Sequence, residues 1–402
     1  MESKLPEPGG TTDEDVISSL PDDVLLRILS FVPTEDAVCT RALSRRWRHV
    51  WLCLPDLAFS DIGKTPTSGL EELIDEVLVH SHDTLTIHIQ HPRHKLRANA
   101  WLQQAAERVH GKISLRLDDY RPITIEDRQW HWNGFGNVAL DLPCGGDART
   151  AAMSICSFLQ DDKVTILRLP AAPAANSSLT ELELVNIQLE VGSLSDFLSS
   201  CGQLRRLVLN FIWVIDGPDL RISNKLLEEL DLDYISGGVE RLEVSCPKLR
   251  SLRINRHFAA PDCEMVARFC TPCLEEIYWP YSDTLHKSRV EFLGSMDMVR
   301  RLNVGLLTHV HVQTYQSRLG LWLVRSCTGV HRLDVSLWNR TKMHHACPAD
   351  CPCKRPLEWK EWNLSLDFLK HVEIYNKYDA DCIHDLDILL RRSSKAKVEM
   401  RT

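Results

Sequence analysis

The chain reads as an α/β solenoid: short parallel strands stacked in series and joined by helical returns, with a small three-helix module in front and a C-terminal capping region behind. Three observations carry this reading. A six-residue phrase recurs along the sequence, its spacing is nearly constant, and residues 15–56 do not follow it.

The phrase is an apolar residue, two polar ones, then Leu-x-Leu or a relative of it. It appears as LTELEL at Leu179–Leu184, LRRLVL at Leu204–Leu209 and LEELDL at Leu227–Leu232, and continues at Val239–Val244, Leu249–Ile254, Val299–Val304, Val330–Val335 and Leu369–Ile374. With the first residue of each Leu-x-Leu as marker, clean copies fall at Leu182, Leu207, Leu230, Leu252, Ile277 and Leu302, so subtraction gives steps of 25, 23, 22, 25 and 25 residues. Steps of roughly 20–29 residues are the period of leucine-rich repeats. Leu242 supplies a short extra copy. Weaker strands are expected upstream at Leu85, Leu115, Leu140 and Leu167. Downstream, Leu333 and Val372 follow after steps of 31 and 39 residues, which predicts insertions there.

Leu-x-Leu makes a strand because alternation sends both leucines to one face and the residue between them to the other. So short a strand cannot bury its apolar face alone; stacked neighbours must supply the core. Helical returns are expected over Gly69–His80, Asn99–His110 and Val191–Cys201. In the last, Leu194, Phe197 and Leu198 fall at i, i+3 and i+4, one apolar stripe. Cys201, Cys246 and Cys327 each precede the opening apolar residue of a copy by three positions. That shared phase predicts small buried hydrophobes rather than redox or metal groups.

At 402 residues and 44% hydrophobic, the chain has material for a long array. A net charge of −8 argues against a general nucleic-acid binder, which needs a concentrated basic face. No apolar run reaches the roughly 18 residues of a membrane span. Residues 1–14 read as a disordered tail without the apolar core of a signal peptide, so the 14 cysteines are expected reduced, in cytoplasm and/or nucleus. No Gly-rich phosphate loop, nucleophile elbow or zinc-protease helix is present, so no enzymatic activity and no cofactor are expected.

In residues 15–56, Leu20-Pro21-Asp22-Asp23 opens a helix with acids at its positive end. Val24, Leu25, Ile28, Leu29 and Val32 continue it, and Pro33 ends it. Thr34 or Asp36 caps a second helix holding Ala37, Val38 and Leu43. A third starts near Ser44 and carries Arg45, Arg46, Trp47, Arg48 and Trp51. Some 40 residues are near the lower limit for independent folding, so apolar surface should remain for a partner. Two tryptophans four apart beside three arginines are expected at that interface, where aromatic and Arg side chains are the usual anchors.

The phrases LPDDVLLRILSFVPTEDAV and LSRRWRHVW resemble the plant form of the F-box. With the repeats and the tail, the resemblance extends to the plant F-box/leucine-rich-repeat proteins with a C-terminal FBD region. It implies that the F-box (15–56) docks on a Skp-type adaptor and through it a cullin–RING ligase, while the repeats (57–340) hold an unknown protein substrate. The adaptor-facing set it implies is Leu20, Pro21, Leu25, Ile28, Leu29, Val32, Val38, Leu43, Ser44, Arg45, Trp47 and Trp51. Cys39 and Val16 depart from the family pattern at its rim.

Residues 363–402 resemble the end of the FBD region: a strand, a loop, a helix opening at Asp381–Asp385, and a last strand, closing the exposed end of the array. Before them, 341–362 is a Cys/Pro-rich insertion. His344, His345, Cys347, Cys351 and Cys353 offer soft ligands in a Cys-x3-Cys-x-Cys spacing that is not a usual zinc knuckle. The expectation is no metal, with zinc on His344, Cys347, Cys351 and Cys353 as the alternative.

For the substrate, the concave face should present Glu183, Val208, Asp231, Glu243, Arg253, Tyr278, Asn303 and Asp334, acidic towards the middle and suited to a basic or polar segment. Trp213, Tyr234, His257, Phe258, Trp279 and Tyr281 are expected along one rim. The expected function is therefore a non-catalytic substrate receptor of a ubiquitin ligase. The alternatives are a sensor of a small molecule or inositol phosphate, and a scaffold that binds the adaptor without degrading anything.

Overall fold

The computed structural model describes residues 16–62, 69–119, 137–143, 149–159, 163–170, 178–255, 266–280, 290–309, 319–339, 366–376 and 397–401. The chain opens with α1 (Val16–Ser19), α2 (Asp22–Leu29), α3 (Thr34–Cys39) and α4 (Trp47–Val50). α3 and α4 each run on into a 3-10 turn, Thr40–Ala42 and Trp51–Cys53. Pro21 and Pro33 occupy the N-cap positions of α2 and α3, and neither helix has a side-chain cap. Thr34 serves elsewhere: its Oγ1 accepts from the Ala58 amide at 2.9 Å, pinning the module to the first strand.

The solenoid strands then follow: β1 (Asp56–Ser60), β2 (His82–Ile89), β3 (Val109–Asp118), β4 (Val138–Asp141), β5 (Ala152–Phe158), β6 (Thr165–Arg168), β7 (Glu181–Glu190), β8 (Arg206–Ile215), β9 (Asp219–Ser223) and β10 (Glu229–Ser236). After them come β11 (Arg241–Ser245), β12 (Ser251–Ile254), β13 (Val266–Cys270), β14 (Glu276–Trp279), β15 (Val290–Phe292), β16 (Arg301–His309), β17 (Arg332–Asn339), β18 (His371–Asn376) and β19 (Lys397–Arg401). Among the described residues the main sheet has 15 strands, running β1-β2-β3-β5-β7-β8-β10-β12-β14-β16-β17-β18-β19, with β4 and β6 beside that path. Its pairings are parallel, and the markers align in register: Leu182 with Leu207, Leu207 with Leu230, Leu230 with Leu252, then Ile277, Leu302, Leu333 and Val372. Each marker is buried, so alternation places one continuous apolar layer behind the sheet.

The three expected helical returns are present as α5 (Leu70–Val77), α7 (Ala98–Arg108) and α8 (Val191–Ser200), with α6 (Pro92–Lys95) and α9 (Leu319–Ser326) in addition. Between β8 and β16 the returns are strands instead. β9, β11, β13 and β15 form a second parallel sheet. Leu220/Ile222, Leu242/Val244 and Ala267/Phe269 are buried at alternate positions, the period-2 pattern of strands rather than the 3.6-residue stripe of a helix. Leu242 therefore marks a return strand, not an extra repeat. Upstream, the Leu140 and Leu167 segments are strands, but they pair with each other off the main path, and β5 fills the place between β3 and β7.

Three repeats turn at one recurrent point. Asn186, Phe211 and Tyr234, each four residues past its marker, adopt left-handed φ of 58°, 54° and 54°. At Phe211 and Tyr234 the extra outward residue shifts the buried parity, from Leu207/Leu209 to Ile212/Val214 and from Leu230/Leu232 to Ile235. Such φ values are costly for non-glycine residues, and the Phe211–Tyr234 ring stack at 5.3 Å and the Asn186 Nδ2 bond to the Ser157 carbonyl (2.6 Å) accompany them. Gly237 is required: a Cβ there would lie 1.8 Å from the Val214 carbonyl oxygen.

One hydrophobic core runs from Leu25 in α2 to Ile374 in β18. Cys201, Cys246 and Cys327 are fully buried in it, and burial pushes their thiols up to about 12, 11 and 12. Among the described residues no helix is long and apolar enough to cross a membrane.

The corner after β1 is fastened by Asp61, which accepts from the Gln90 and His91 amides (2.5 and 3.0 Å) and from His94 Nδ1 (2.7 Å). Burial raises the Asp61 carboxyl pKa, but these bonds outweigh it and leave the group below its ordinary 3.8. A folded-state pKa below the unfolded one gives stability that is complete above the unfolded value and fades as pH falls through the folded one. Asp61→Ala should cost about 1–3 kcal/mol in urea melts at neutral pH. That deficit should shrink below about pH 4.

Candidate functional site

Two surfaces bear on function. The first is the outer side of α2. Leu25 and Leu29 face inward, and Val24 and Ile28, one position earlier in each turn, face out. Phe31 (78% exposed) and Val32 follow on the turn after the helix, and Ile17 precedes it. Leu43, on the turn after α3, is 67% exposed. A helix apolar on both sides has more hydrophobic surface than its own chain covers. Arg46 holds the frame, donating to Asp22 (2.7 Å) and to the Leu20 carbonyl.

The structure divides the expected anchor set. Pro21, Ile28, Val32, Leu43, Ser44 and Arg45 are exposed, and Leu20 is half-buried. Leu25, Leu29, Val38, Trp47 and Trp51 are buried within this chain, Trp47 at 5% and Trp51 at 0% exposure. The expectation that the tryptophans face a partner is therefore corrected. The module is not packed as an isolated 40 residues; its third helix shares the solenoid's core, which gives both indoles somewhere to go. His82 reinforces the join, its ring nitrogens lying 2.9 Å from the Leu54 carbonyl and 3.0 Å from that of Val77. Sequence reasoning missed Ile17 and Phe31 as surface residues. Their signal was apolar residues on the side of α2 away from Leu25 and Leu29.

The second surface is the open face of the main sheet. Glu183, Val208, Asp231, Arg253, Tyr278, Asn303 and Asp334 form a single row across seven adjacent strands. Glu373 and Glu399 extend it on β18 and β19. Glu243 is the exception: it lies on β11 in the second sheet, 3.6 Å from Arg221, because its segment is a return strand. The Arg253 guanidinium lies over the Tyr278 ring at 5.6 Å. Burial raises the Asp334 carboxyl pKa despite Arg332 at 3.2 Å. Of the rim aromatics, Trp279 is buried, Trp213 and Tyr234 are half-buried, and His257, Phe258 and Tyr281 lie outside the described residues.

His344, Cys347, Cys351 and Cys353 also lie outside the described residues, as does the expected helix at 381–392. Among the described residues His371, Glu373 and Glu399 place ligand atoms within 4.8 Å of one another. Arg332 is 3.0 Å from Glu373 and Lys397 is 2.5 Å from Glu399, so cations of the chain already neutralise that cluster.

A repeat solenoid offers an extended surface along its sheet, and here an apolar helix face stands at one end of it. Residues 17–57 match the F-box domain. Arabidopsis thaliana relatives include two F-box/FBD/LRR-repeat proteins. One is 48% identical over 226 residues (55% of this chain, 53% of the relative), the other 52% over 260 residues (60% and 49%). A third, an FBD-associated F-box protein, is 25% identical over 309 residues, covering 74% of this chain and 67% of its own. The chain thus carries an F-box domain, and its homologues are plant F-box/FBD/LRR-repeat proteins. It spans about half the length of the first two.

Burial separates the roles of these side chains. Trp51→Ala should lose about 3–5 kcal/mol of stability, and Phe31→Ala should stay within about 0.5 kcal/mol of wild type, read by chemical denaturation of the full chain.

Proposed function

We propose that this chain is the substrate-recognition subunit of an SCF-type (Skp–cullin–F-box) ubiquitin ligase. Its F-box docks on a Skp-type adaptor through the outer side of α2, and the open sheet face holds a target protein. The observation that carries this is the run Ile17, Val24, Ile28, Phe31 and Val32 left exposed within the F-box match. Burying five such side chains in an interface supplies the hydrophobic drive that the module withholds from its own core. Pro21, Leu43, Ser44 and Arg45 border it. Leu25, Leu29, Val38, Trp47 and Trp51 act indirectly, by fixing the helices that present it.

The subunit itself does no covalent chemistry. Holding a target beside the transfer machinery raises its effective concentration there. The small-molecule alternative has one point in its favour, an open depression of about 470 Å³ on the sheet face, lined in part by Arg253, Arg301 and Arg332. Each of these guanidiniums already meets a carboxylate, which weighs against a dedicated anion site.

Ile28→Ser/Phe31→Ser should abolish co-purification with a plant Skp-type adaptor while leaving the melting temperature within a few degrees of wild type. Undiminished co-purification of that double variant would refute the docking face.

A further inference from the structure

Cross-strand charge pairing is the habit of this surface. On the second sheet Arg221 meets Glu243 at 3.6 Å, Arg241 meets Asp219 at 3.5 Å and Arg268 meets Glu291 at 2.9 Å, so charges balance. The C-terminal strands of the main sheet behave alike: Arg301 lies 2.7 Å from Glu276, and Arg332 lies 3.0 Å from Glu373. Over β7, β8 and β10 the balance fails. The open-face positions there hold Glu181, Glu183, Glu229 and Asp231 against the single guanidinium of Arg206, which sits 3.7 Å from Glu229. Burial, with Asp233 and Glu183 alongside, raises the Asp231 carboxyl pKa in spite of Arg253 and Arg206.

Hydrogen bonding is unbalanced in the same sense. Among the described residues, the buried side-chain oxygens of Asn210 on β8 and Asn303 on β16 have no donor. A buried acceptor without a donor costs free energy that a ligand bringing N–H groups would recover. Asn303 also lines the depression of about 470 Å³, which begins at Arg253 on the strand next to Asp231 and so adjoins the acidic stretch; its Arg253, Arg301 and Arg332 each meet a carboxylate. The stretch over β7, β8 and β10 is therefore short of positive charge, and Asn210 and Asn303 on the same face are short of donors.

We propose that the track from β7 to β16 on this face seats an extended, lysine- or arginine-rich segment of the target protein, its cations over Glu183 and Asp231 and its N–H groups meeting Asn210 and Asn303. This deepens the substrate-receptor reading and rests on it. Glu183 and Asp231 stand two strands apart, about 9.6 Å at ordinary strand spacing. Three residues of extended chain reach about that far. A basic residue at every third position fits the track.

The test uses the full chain with its Skp-type adaptor and a fluorescein-labelled (Lys-Ser-Ser)4 peptide, followed by fluorescence anisotropy, with (Glu-Ser-Ser)4 as control. The lysine peptide should bind and should weaken as salt rises. Glu183→Gln/Asp231→Asn should weaken it about fivefold or more. Asp219→Asn/Glu243→Gln removes the same charge from the other sheet and should leave affinity unchanged. The inference is overturned by equal loss in the two double variants, by no binding of the lysine peptide, or by tighter binding of the glutamate peptide. Adaptor co-elution is scored separately. Failed peptide binding with the adaptor retained sinks this inference alone, and an adaptor that never binds sinks the receptor reading.

Discussion

The structure depends on the in-register stacking of the paired apolar residues of each repeat. No single Leu-x-Leu strand could remain folded, because four to ten residues bury too little surface to offset the entropy of ordering them. Placed beside like neighbours, the apolar markers from Leu182 to Val372 close one buried layer, and the residues between the paired apolar positions are committed to the opposite, open face. Core and binding surface are thus two consequences of one alternation. Substitutions on the open face can vary freely without disturbing the layer beneath.

The same continuity explains the N-terminal module. Its helices are too few to enclose Trp47 and Trp51, and β1 lets them borrow the interior of the solenoid. The Thr34–Ala58 bond and the His82 ring fix that joint. What the module keeps outside is a set of aliphatic side chains and Phe31 on α2 and its flanks. A docking face held rigidly to the array fixes the geometry between adaptor and target, which matters for a receptor that works by proximity.

Much of this was legible in the sequence. The markers, their spacing, the three amphipathic returns and the phase of Cys201, Cys246 and Cys327 follow from period-2 and period-3.6 patterns. The misreadings have physical causes. Glu243 was placed on the wrong sheet because Val239–Val244 repeats the strand phrase, and local alternation cannot distinguish a return strand from a repeat strand. β5 was overlooked because Met153 and Ile155 occupy the leucine positions of its copy. Trp47 and Trp51 were assigned to the outside because a 40-residue segment was weighed without the core it joins. The acidic middle of the open face was legible in Glu183 and Asp231, and register added Glu181 and Glu229 as their neighbours.

The most direct test of the account is hydrogen exchange of the full chain, free and bound to a Skp-type adaptor. Amides of residues 47–54 should already exchange slowly in the free chain and change little on binding, while protection should appear across residues 17–43. Rapid exchange at 47–54 in the free chain, with protection arising there only on binding, would mean that the tryptophans belong to the partner and would contradict the shared core.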